Sequence, residues 1–206
     1  MRMNGRMVNS LLAALLVGAC ATTSSLTVPA TSADVPKASP DKAVIVFMRP
    51  SLHASNIGAV VLRLDADKEE FLTALDWGTK VAVAVPPGEY RFMIVNSFGG
   101  LGGMLAANVA PGKTYHVVGA PAGWPAVHFS LYPVKASTLY KWNSDSDDVK
   151  KWIAELESRR KAPGAEAWLT ERGARVKAFR AKFEPEWNAR TDNKADEFVL
   201  RPGDGR

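Results

Sequence analysis

The sequence predicts a mainly β protein, an antiparallel β-sandwich followed by a C-terminal α-helical hairpin. Short apolar runs with period-two alternation predict the strands, and proline and glycine residues between these runs predict tight turns. Helical periodicity is confined to the last third of the chain. The 206 residues are 47% hydrophobic and 23% charged, a balance that suits a globular domain and argues against wholesale disorder.

Residues 1–19 have the pattern of a secretory signal peptide. Arg2 and Arg6 form a basic head, and residues 8–17 form an apolar run that is too short to span a bilayer as a helix. Small residues then lead into Cys20, which is the one cysteine of the sequence. We therefore expect residues 1–19 to be removed on export.

The end of this signal, Val17-Gly18-Ala19-Cys20, resembles the lipobox of bacterial lipoproteins. The resemblance implies that the thiol of Cys20 is diacylated, that the preceding peptide is cut, and that the new amine is acylated. Because Ala21 rather than aspartate follows the cysteine, it also implies release to the outer membrane, facing the periplasm. The alternative is an ordinary secreted protein that is cut near Ala19 and keeps a free thiol.

Residues 20–41 are predicted to be the lipidated cysteine and a flexible tether. They are nearly all alanine, threonine, serine and proline, with no hydrophobic period, and such a segment buries too little surface to offset its chain entropy. We expect this tether to hold the folded part away from the lipid surface.

The β-sandwich domain is predicted over residues 42–135. Tight turns are expected at Pro86-Pro87-Gly88 and at Pro111-Gly112, where proline presets one backbone angle and glycine accepts a positive φ. Strands in sequence without intervening helices are typical of an antiparallel sandwich or barrel, and we expect the sandwich. The predicted strands are 43–49, 59–64, 70–75, 79–85, 90–96, 104–109, 114–119 and 127–132.

These turns resemble those of a family of small bacterial outer-membrane lipoproteins with a β-sandwich domain of unknown function. The matching residues are Pro86, Pro87, Gly88, Tyr90, Gly112, Lys113, Thr114 and Tyr115. His116 stands where that family has a second aromatic residue. Over residues 43–134 the resemblance implies a transthyretin-like sandwich and a location in the cell envelope, and it supplies no catalytic residues.

Residues 136–206 are predicted to form a helical extension and tail. One helix is expected around residues 149–156, where apolar residues recur at helical spacing after a serine- and aspartate-rich start. Pro163-Gly164 ends it, and a second stripe from Trp168 to Phe183 predicts a helix that stops before Pro185. Two such helices joined by a turn form a hairpin whose apolar faces pack on each other or on the sheet.

Four residues are candidates for contact with a partner or ligand: Phe98, Leu101 and Met104 in a glycine-rich loop, and Trp124 between two strands. We interpret the glycine-rich loop as a mobile hairpin tip, because it joins two strands and lacks the Lys-Ser/Thr of phosphate loops. Trp124 suits either a plug over the open end of the sandwich or a platform that stacks a sugar ring.

No catalytic residue, cofactor or metal site is expected, since the sequence contains neither G-x-S-x-G nor H-E-x-x-H. His116 and His128 are expected to face outward, and two histidines fall short of the ligands that zinc needs. Basic residues of the helices, among them Arg175 and Arg180, alternate with acids, which favours a solvated face. The alternative is contact with anionic lipid head groups. No nucleic acid is expected as a partner, because the protein is exported.

These observations predict a non-enzymatic lipoprotein of the cell envelope that acts as a structural or interaction module. The membrane is its partner through the lipid anchor, and an envelope protein or glycan is a further partner. The first alternative is a glycan-binding module that uses Trp124 and the loop from Phe98 to Met104. A remote alternative is an envelope hydrolase, which converging carboxylates or histidines in a cleft would favour.

Overall fold

The computed structural model describes residues 25–52, 57–122, 128–190 and 195–206. Within them the protein is mainly β, with two mixed sheets and two α-helices. The elements in chain order are β1 (Thr27–Pro29), β2 (Ala43–Arg49), β3 (Ala59–Leu64), β4 (Glu69–Leu75), β5 (Thr79–Val85), β6 (Gly88–Asn96), β7 (Gly102–Val109), β8 (Thr114–Ala122), β9 (His128–Pro133), α1 (Asp147–Glu155), β10 (Glu157–Lys161), α2 (Ala167–Asn188) and β11 (Val199–Leu200).

The two sheets are not purely antiparallel, which corrects the expectation from sequence. One sheet has the order β1-β10-β5-β2-β8-β9 and the other the order β11-β7-β6-β3-β4. Strands β2 and β8 pair in parallel at the centre of the first sheet, and the pairs β10–β5 and β11–β7 are parallel as well. Because the later strands return to pair with strands far earlier in the chain, a simple succession of hairpins does not describe this fold.

Alternate residues of both sheets contribute to one apolar core. From β2 the core takes Ala43, Ile45 and Phe47, and from β3 it takes Ala59 and Val61. The rings of Phe47 and Phe92, from different sheets, meet edge to face with centroids 5.4 Å apart. This alternation follows from the period of two along each strand.

The opposite faces of the same strands are covered by the helices. Val46 and Met48 of β2 belong to a cluster with residues of α1, whereas Val60 and Leu62 of β3 belong to a cluster with residues of α2. The sequences of β2 and β3 are almost continuous apolar runs, because both faces of these strands are buried. Within the described residues neither helix is long and apolar enough to span a bilayer.

The predicted helical hairpin differs from what the structure contains. Helix α1 begins after Ser146, whose hydroxyl accepts a hydrogen bond from the Val149 amide at 3.3 Å, as the sequence predicts. The chain then forms β10, so a strand separates α1 from α2 and the helices contribute to different apolar clusters. Helix α2 also continues through Pro185 to Asn188, and Trp187 in this extra turn packs on the cluster beneath α2.

Part of the segment predicted to be a flexible tether is instead ordered. Residues of β1 pair antiparallel with β10 at the edge of the six-stranded sheet, and Thr27 is 3% exposed. This strand is stabilised by pairing with β10, which lies far along the chain. The local composition of the segment therefore does not predict it. The folded part therefore begins well before residue 42.

Candidate functional site

Three large apolar side chains are exposed on two neighbouring turns. Trp77 follows β4, while Phe98 and Leu101 follow β6, and their exposed fractions are 52%, 56% and 46%. Because Ala59 of β3 pairs with both the last residue of β4 and the last residue of β6, both turns lie at the same end of the sheet. We call Trp77, Phe98 and Leu101 the apolar rim.

Leu101 adopts a backbone conformation that leucine rarely takes. Its φ is 57°, and it is the one non-glycine residue with a positive φ among the described residues. The left-handed region costs a residue with a Cβ about 1–2 kcal/mol relative to the right-handed one. The Asn96 side chain stabilises the turn, since its Oδ1 accepts hydrogen bonds from the amides of Phe98 and Gly100, both at 3.2 Å.

Met104 is not available for contact at this end. It lies in β7, in agreement with the predicted strand 104–109, but it is 2% exposed and packs in the cluster beneath α2. The preceding glycines belong to the strand as well, because a Cβ on Gly102 would lie 1.7 Å from the Ile94 carbonyl oxygen. A Cβ on Gly103 would lie 3.1 Å from the Phe129 carbonyl oxygen of β9, so these glycines allow close strand packing rather than a mobile tip.

Helix α2 holds the turn that carries Phe98 and Leu101. The Trp168 indole Nε1 donates a hydrogen bond to the Ser97 carbonyl oxygen at 3.1 Å, and Arg175 Nη1 donates to the Phe98 carbonyl oxygen at 3.2 Å. Arg172 lies close to Gly99, since a Cβ added to Gly99 would be 3.2 Å from the Arg172 Cβ. Two exposed arginines therefore lie directly beside the apolar rim.

The first described residues lie at this same end. Ser25 and Leu26 line a cavity of about 590 Å³ together with Asp76, Ser97 and Trp168. Cys20 lies outside the described residues. Ser25 is five residues after it in sequence, and five residues of extended chain span at most about 17 Å.

A larger cleft, of about 920 Å³, lies at the opposite end of the five-stranded sheet. We call it the far cleft. It is lined by Tyr90 near the start of β6, Asn108 near the end of β7, and Trp187 of α2, together with Arg63, Leu64, Asp65, Ala66, Glu89, Arg91, Ala106, Ala107, Arg180, Glu184, Val199, Leu200, Arg201 and Pro202. Tyr90 and Trp187 are half-buried and line this cleft beside polar side chains.

Arg180 is committed to a buried ion-pair network and is not a free lipid contact. Its Nε lies 2.8 Å from Glu184 Oε2, its Nη1 lies 3.1 Å from Glu69 Oε1, and its Nη2 donates to the Asp65 and Ala66 carbonyl oxygens. Burial lowers the pKa of Arg180, but hydrogen bonds to Glu184 and Glu69 outweigh it and raise the pKa overall. The hydrogen bond from Arg180 lowers the pKa of Glu184 in turn, so both groups are charged.

The two histidines do not meet. His128 pairs with Ala122 at one end of the β8–β9 hairpin, whereas the His116 carbonyl oxygen accepts a hydrogen bond from Val134 beyond the other end. His116 is partly buried, and burial together with the charges of Arg206 and Lys80 lowers its pKa to about 4. It is therefore neutral at neutral pH and packs as a polar member of the sheet.

Acidic residues near the β3–β4 turn serve ion pairs. Glu69 contacts Arg180, and Glu70 forms an ion pair with Arg63. Within the described residues, no group of three or more histidine, cysteine, aspartate or glutamate side chains is placed to hold a metal ion. Glu69 and Glu70 are therefore both held in ion pairs with arginine side chains.

Trp124, the fourth candidate contact residue from sequence, lies outside the described residues. Sequence reasoning found Phe98 and Leu101 but missed Trp77, although Asp76-Trp77-Gly78 between two alternating strands is a turn that exposes its central residue. It also missed the far cleft, whose lining comes from segments that are distant in sequence.

No protein-family model matches the chain, and no curated protein matches it. The resemblance of its turns to those of small bacterial lipoproteins therefore stays a prediction.

Proposed function

We propose that this protein is a lipoprotein of the cell envelope, anchored through Cys20 and facing the periplasm from the outer membrane. The signal-like residues 1–19 and the lipobox-like end of that segment support the proposal. The observation that carries it furthest is the position of Ser25, beside a rim of exposed apolar side chains and only five residues after the cysteine.

We further infer that the ordered part is a β-sandwich that acts as a non-enzymatic interaction module. The support is the shared apolar core of the two sheets, together with helices on their opposite faces. The transthyretin-like arrangement implied by the resemblance stays a prediction. Glu69 and Glu70 are engaged by arginines, which does not favour their use as the acid pair of the hydrolase alternative.

Metabolic labelling with a fatty-acid probe tests the anchor. We expect the wild-type protein to incorporate the label and to fractionate with membranes, and the Cys20→Ala variant to lose the label and to accumulate with an uncut signal. Mass spectrometry of the native polypeptide supplies the decisive control. An unmodified chain that starts at Met1 would contradict the proposal.

A second candidate function, binding of a wall or surface glycan, is favoured by the far cleft. Sugar sites combine exposed ring faces of aromatic residues with a few polar groups that bond hydroxyls. Tyr90 and Trp187 supply rings, while Asn108 and the half-exposed Arg91 supply polar groups in the same cleft.

Pull-down on purified cell-wall glycan separates this function from the first. We expect Trp187→Ala and Asn108→Ala to weaken retention if the far cleft binds glycan, whereas Trp77→Ala at the other end leaves it unchanged. Loss of retention only in Trp124→Ala would place the binding site at the residue that the sequence suggested. Equal retention of every variant would reject the glycan function.

A further inference from the structure

We propose that the apolar rim inserts into the head-group region of the same bilayer that holds the lipid anchor, so that this end of the protein lies flat on the membrane. This inference rests on the proposed lipidation of Cys20. The apolar rim then contacts a phospholipid surface directly, and the folded part is not held away from lipid on a long tether.

The reach of the chain is the first argument. At most about 17 Å separates Cys20 from Ser25, so the first ordered residues cannot lie far from an anchored lipid. Ser25 lines the same cavity as Asp76 and Ser97, and these two residues directly precede Trp77 and Phe98. An anchor at Cys20 therefore keeps the end of the domain that carries the apolar rim close to the membrane.

The chemistry of the rim is the second argument. Tryptophan, phenylalanine and leucine are the residues that peripheral proteins bury at the boundary of head groups and acyl chains. Among the described residues one other large apolar side chain is exposed, Leu139, which stands alone in the connection after β9. Three such side chains at one end of the molecule are more than scattered surface residues, which normally need no explanation.

The backbone of Leu101 is the third argument. Leucine holds a left-handed conformation there, beside Gly99, Gly100 and Gly102, where glycine carries no such cost. This strained backbone conformation places the Leu101 side chain at the tip of the turn. The side chain is 46% exposed there and contributes little to the core. Strain at an exposed position is consistent with a role in contact rather than in stability.

The surrounding charge is compatible with anionic lipid. Arg172 and Arg175 are exposed beside the rim, and Arg175 bonds the Phe98 carbonyl oxygen, which keeps its guanidinium at this end. Glu171 also lines the adjacent cavity and offsets part of this charge. We therefore expect apolar insertion to dominate, with a smaller electrostatic contribution that weakens as salt is raised.

Docking in this way has a consequence for the far cleft. Within strand β6, Asn96 at the rim lies six positions after Tyr90 at the cleft, a separation of about 20 Å. With the rim in the head groups, the far cleft opens away from the membrane toward the periplasm. The two ends of the domain thus have separate tasks, attachment at one and ligand contact at the other.

Site-specific fluorescence tests the insertion without the lipid anchor. The unlipidated chain from residue 20, with Cys20→Ser, has no other cysteine, so Leu101→Cys or Leu139→Cys in that background each takes a single environment-sensitive label. Vesicles of phosphatidylethanolamine with phosphatidylglycerol as the minor component are the probe. We expect a blue shift and a gain of intensity for the label at 101, and no change for the label at 139.

Vesicle co-sedimentation of the unlabelled Cys20→Ser chain is the second measurement. Replacing Trp77, Phe98 and Leu101 together with serine is expected to lower partitioning by about tenfold or more, whereas Leu139→Ser leaves it unchanged. None of the three residues belongs to the buried apolar clusters, so we expect little change in stability, and unfolding curves check this directly. No response at position 101, or equal responses at 101 and 139, would overturn the insertion. Labelling of Cys20 in cells is unaffected by that outcome, so the anchor and the insertion fail separately.

Discussion

Thr27 donates a hydrogen bond from its hydroxyl to Asp76 Oδ2 at 3.1 Å, which ties the start of the ordered chain to the turn that carries Trp77. Arg159 of β10 completes the tie, because its Nε donates to Thr27 Oγ1 and its Nη2 donates to the Thr27 carbonyl oxygen, both at 2.9 Å. All three residues are nearly fully buried. The position of the N-terminal segment at this end is therefore fixed by buried polar contacts and not by strand pairing alone.

Arg159→Ala is expected to lower the free energy of unfolding by about 2–4 kcal/mol. The substitution leaves the Thr27 hydroxyl and carbonyl without their buried donor, and stranded polar groups of this kind carry the full desolvation penalty. Urea denaturation measures the loss, and limited proteolysis should show cleavage near residues 25–30 before global unfolding.

The neighbouring Arg160→Ala is the matched control for this prediction. Its side chain is 47% exposed and lies 3.5 Å from Asp34, and an exposed ion pair of this kind contributes little to stability because water and salt screen it. Equal losses for Arg159→Ala and Arg160→Ala would mean that β1 is not held by the Thr27–Asp76–Arg159 contacts.

Leu101→Gly is expected to stabilise the fold while weakening attachment to membranes. Glycine relieves the left-handed backbone at φ 57°, and after its own entropic cost a gain of up to about 1 kcal/mol remains. The same change removes one of the three apolar rim side chains, so partitioning onto vesicles should fall. Chemical denaturation and co-sedimentation of one protein preparation measure the two effects together.

Leu139→Gly serves as the control for Leu101→Gly, since Leu139 is 93% exposed and does not have a positive φ. We expect no gain in stability and no loss of vesicle binding there. If Leu101→Gly is stabilised but binds vesicles as well as the wild type, the backbone strain is real and Leu101 does not contribute to membrane contact.

Strands bounded by proline or glycine were predictable from the sequence. The predictions for 43–49, 59–64 and 79–85 coincide with β2, β3 and β5, because apolar runs of this length with breakers at their ends have few alternatives. Strand β10 was not predictable, since its sequence Glu-Ser-Arg-Arg-Lys has no apolar period. It is held by parallel pairing with β5 and by the bonds of Arg159, which are tertiary contacts.

The candidate site was predictable only in part, for a similar reason. Exposure of Phe98 and Leu101 follows from a turn between two strands, a local property. Met104 was expected to contact a partner from the end of the glycine-rich loop, but β7 already begins at Gly102, where close packing against Ile94 and Phe129 requires glycines inside the strand. The gathering of Ser25, Trp77 and Phe98 at one end depends on sheet order, which the sequence does not specify.

The stability of the protein is expected to fall between pH 6.5 and about pH 4 because of His116. Burial, with the nearby charges of Arg206 and Lys80, lowers the pKa of the folded state to about 4 from the ordinary 6.5. In this window the unfolded chain binds a proton that the folded chain does not, so protonation favours unfolding as the pH falls. Above pH 6.5 none of this stability is lost. Over the whole window the unfolding free energy falls by at most about 3 kcal/mol because of His116.

His116→Gln isolates this effect, because glutamine carries no proton in either state. The difference in unfolding free energy between wild type and variant should be constant above pH 6.5 and should shift toward the variant as the pH falls to about 4. Carboxylates titrate in both proteins and cancel in the difference. A difference that does not change with pH would mean that the folded protein protonates His116 as readily as the unfolded chain.

Tyr115→Phe is expected to cost about 1–3 kcal/mol of unfolding free energy, although it removes a single oxygen atom. The Tyr115 hydroxyl accepts a hydrogen bond from the Ala110 amide at 2.8 Å, and the side chain is fully buried. Phenylalanine leaves that amide, in the turn at Pro111-Gly112, without its partner.

Tyr90→Phe is the paired control, since the Tyr90 hydroxyl donates to the Pro86 carbonyl oxygen at 2.7 Å in an exposed setting where water replaces it. We expect a loss below about 0.5 kcal/mol for Tyr90→Phe in the same urea titration. Both tyrosine hydroxyls form hydrogen bonds to the backbone just before the turn that precedes their own strand, so turn stability accounts for a tyrosine after each turn. Equal costs for the two variants would contradict the role of burial in this difference.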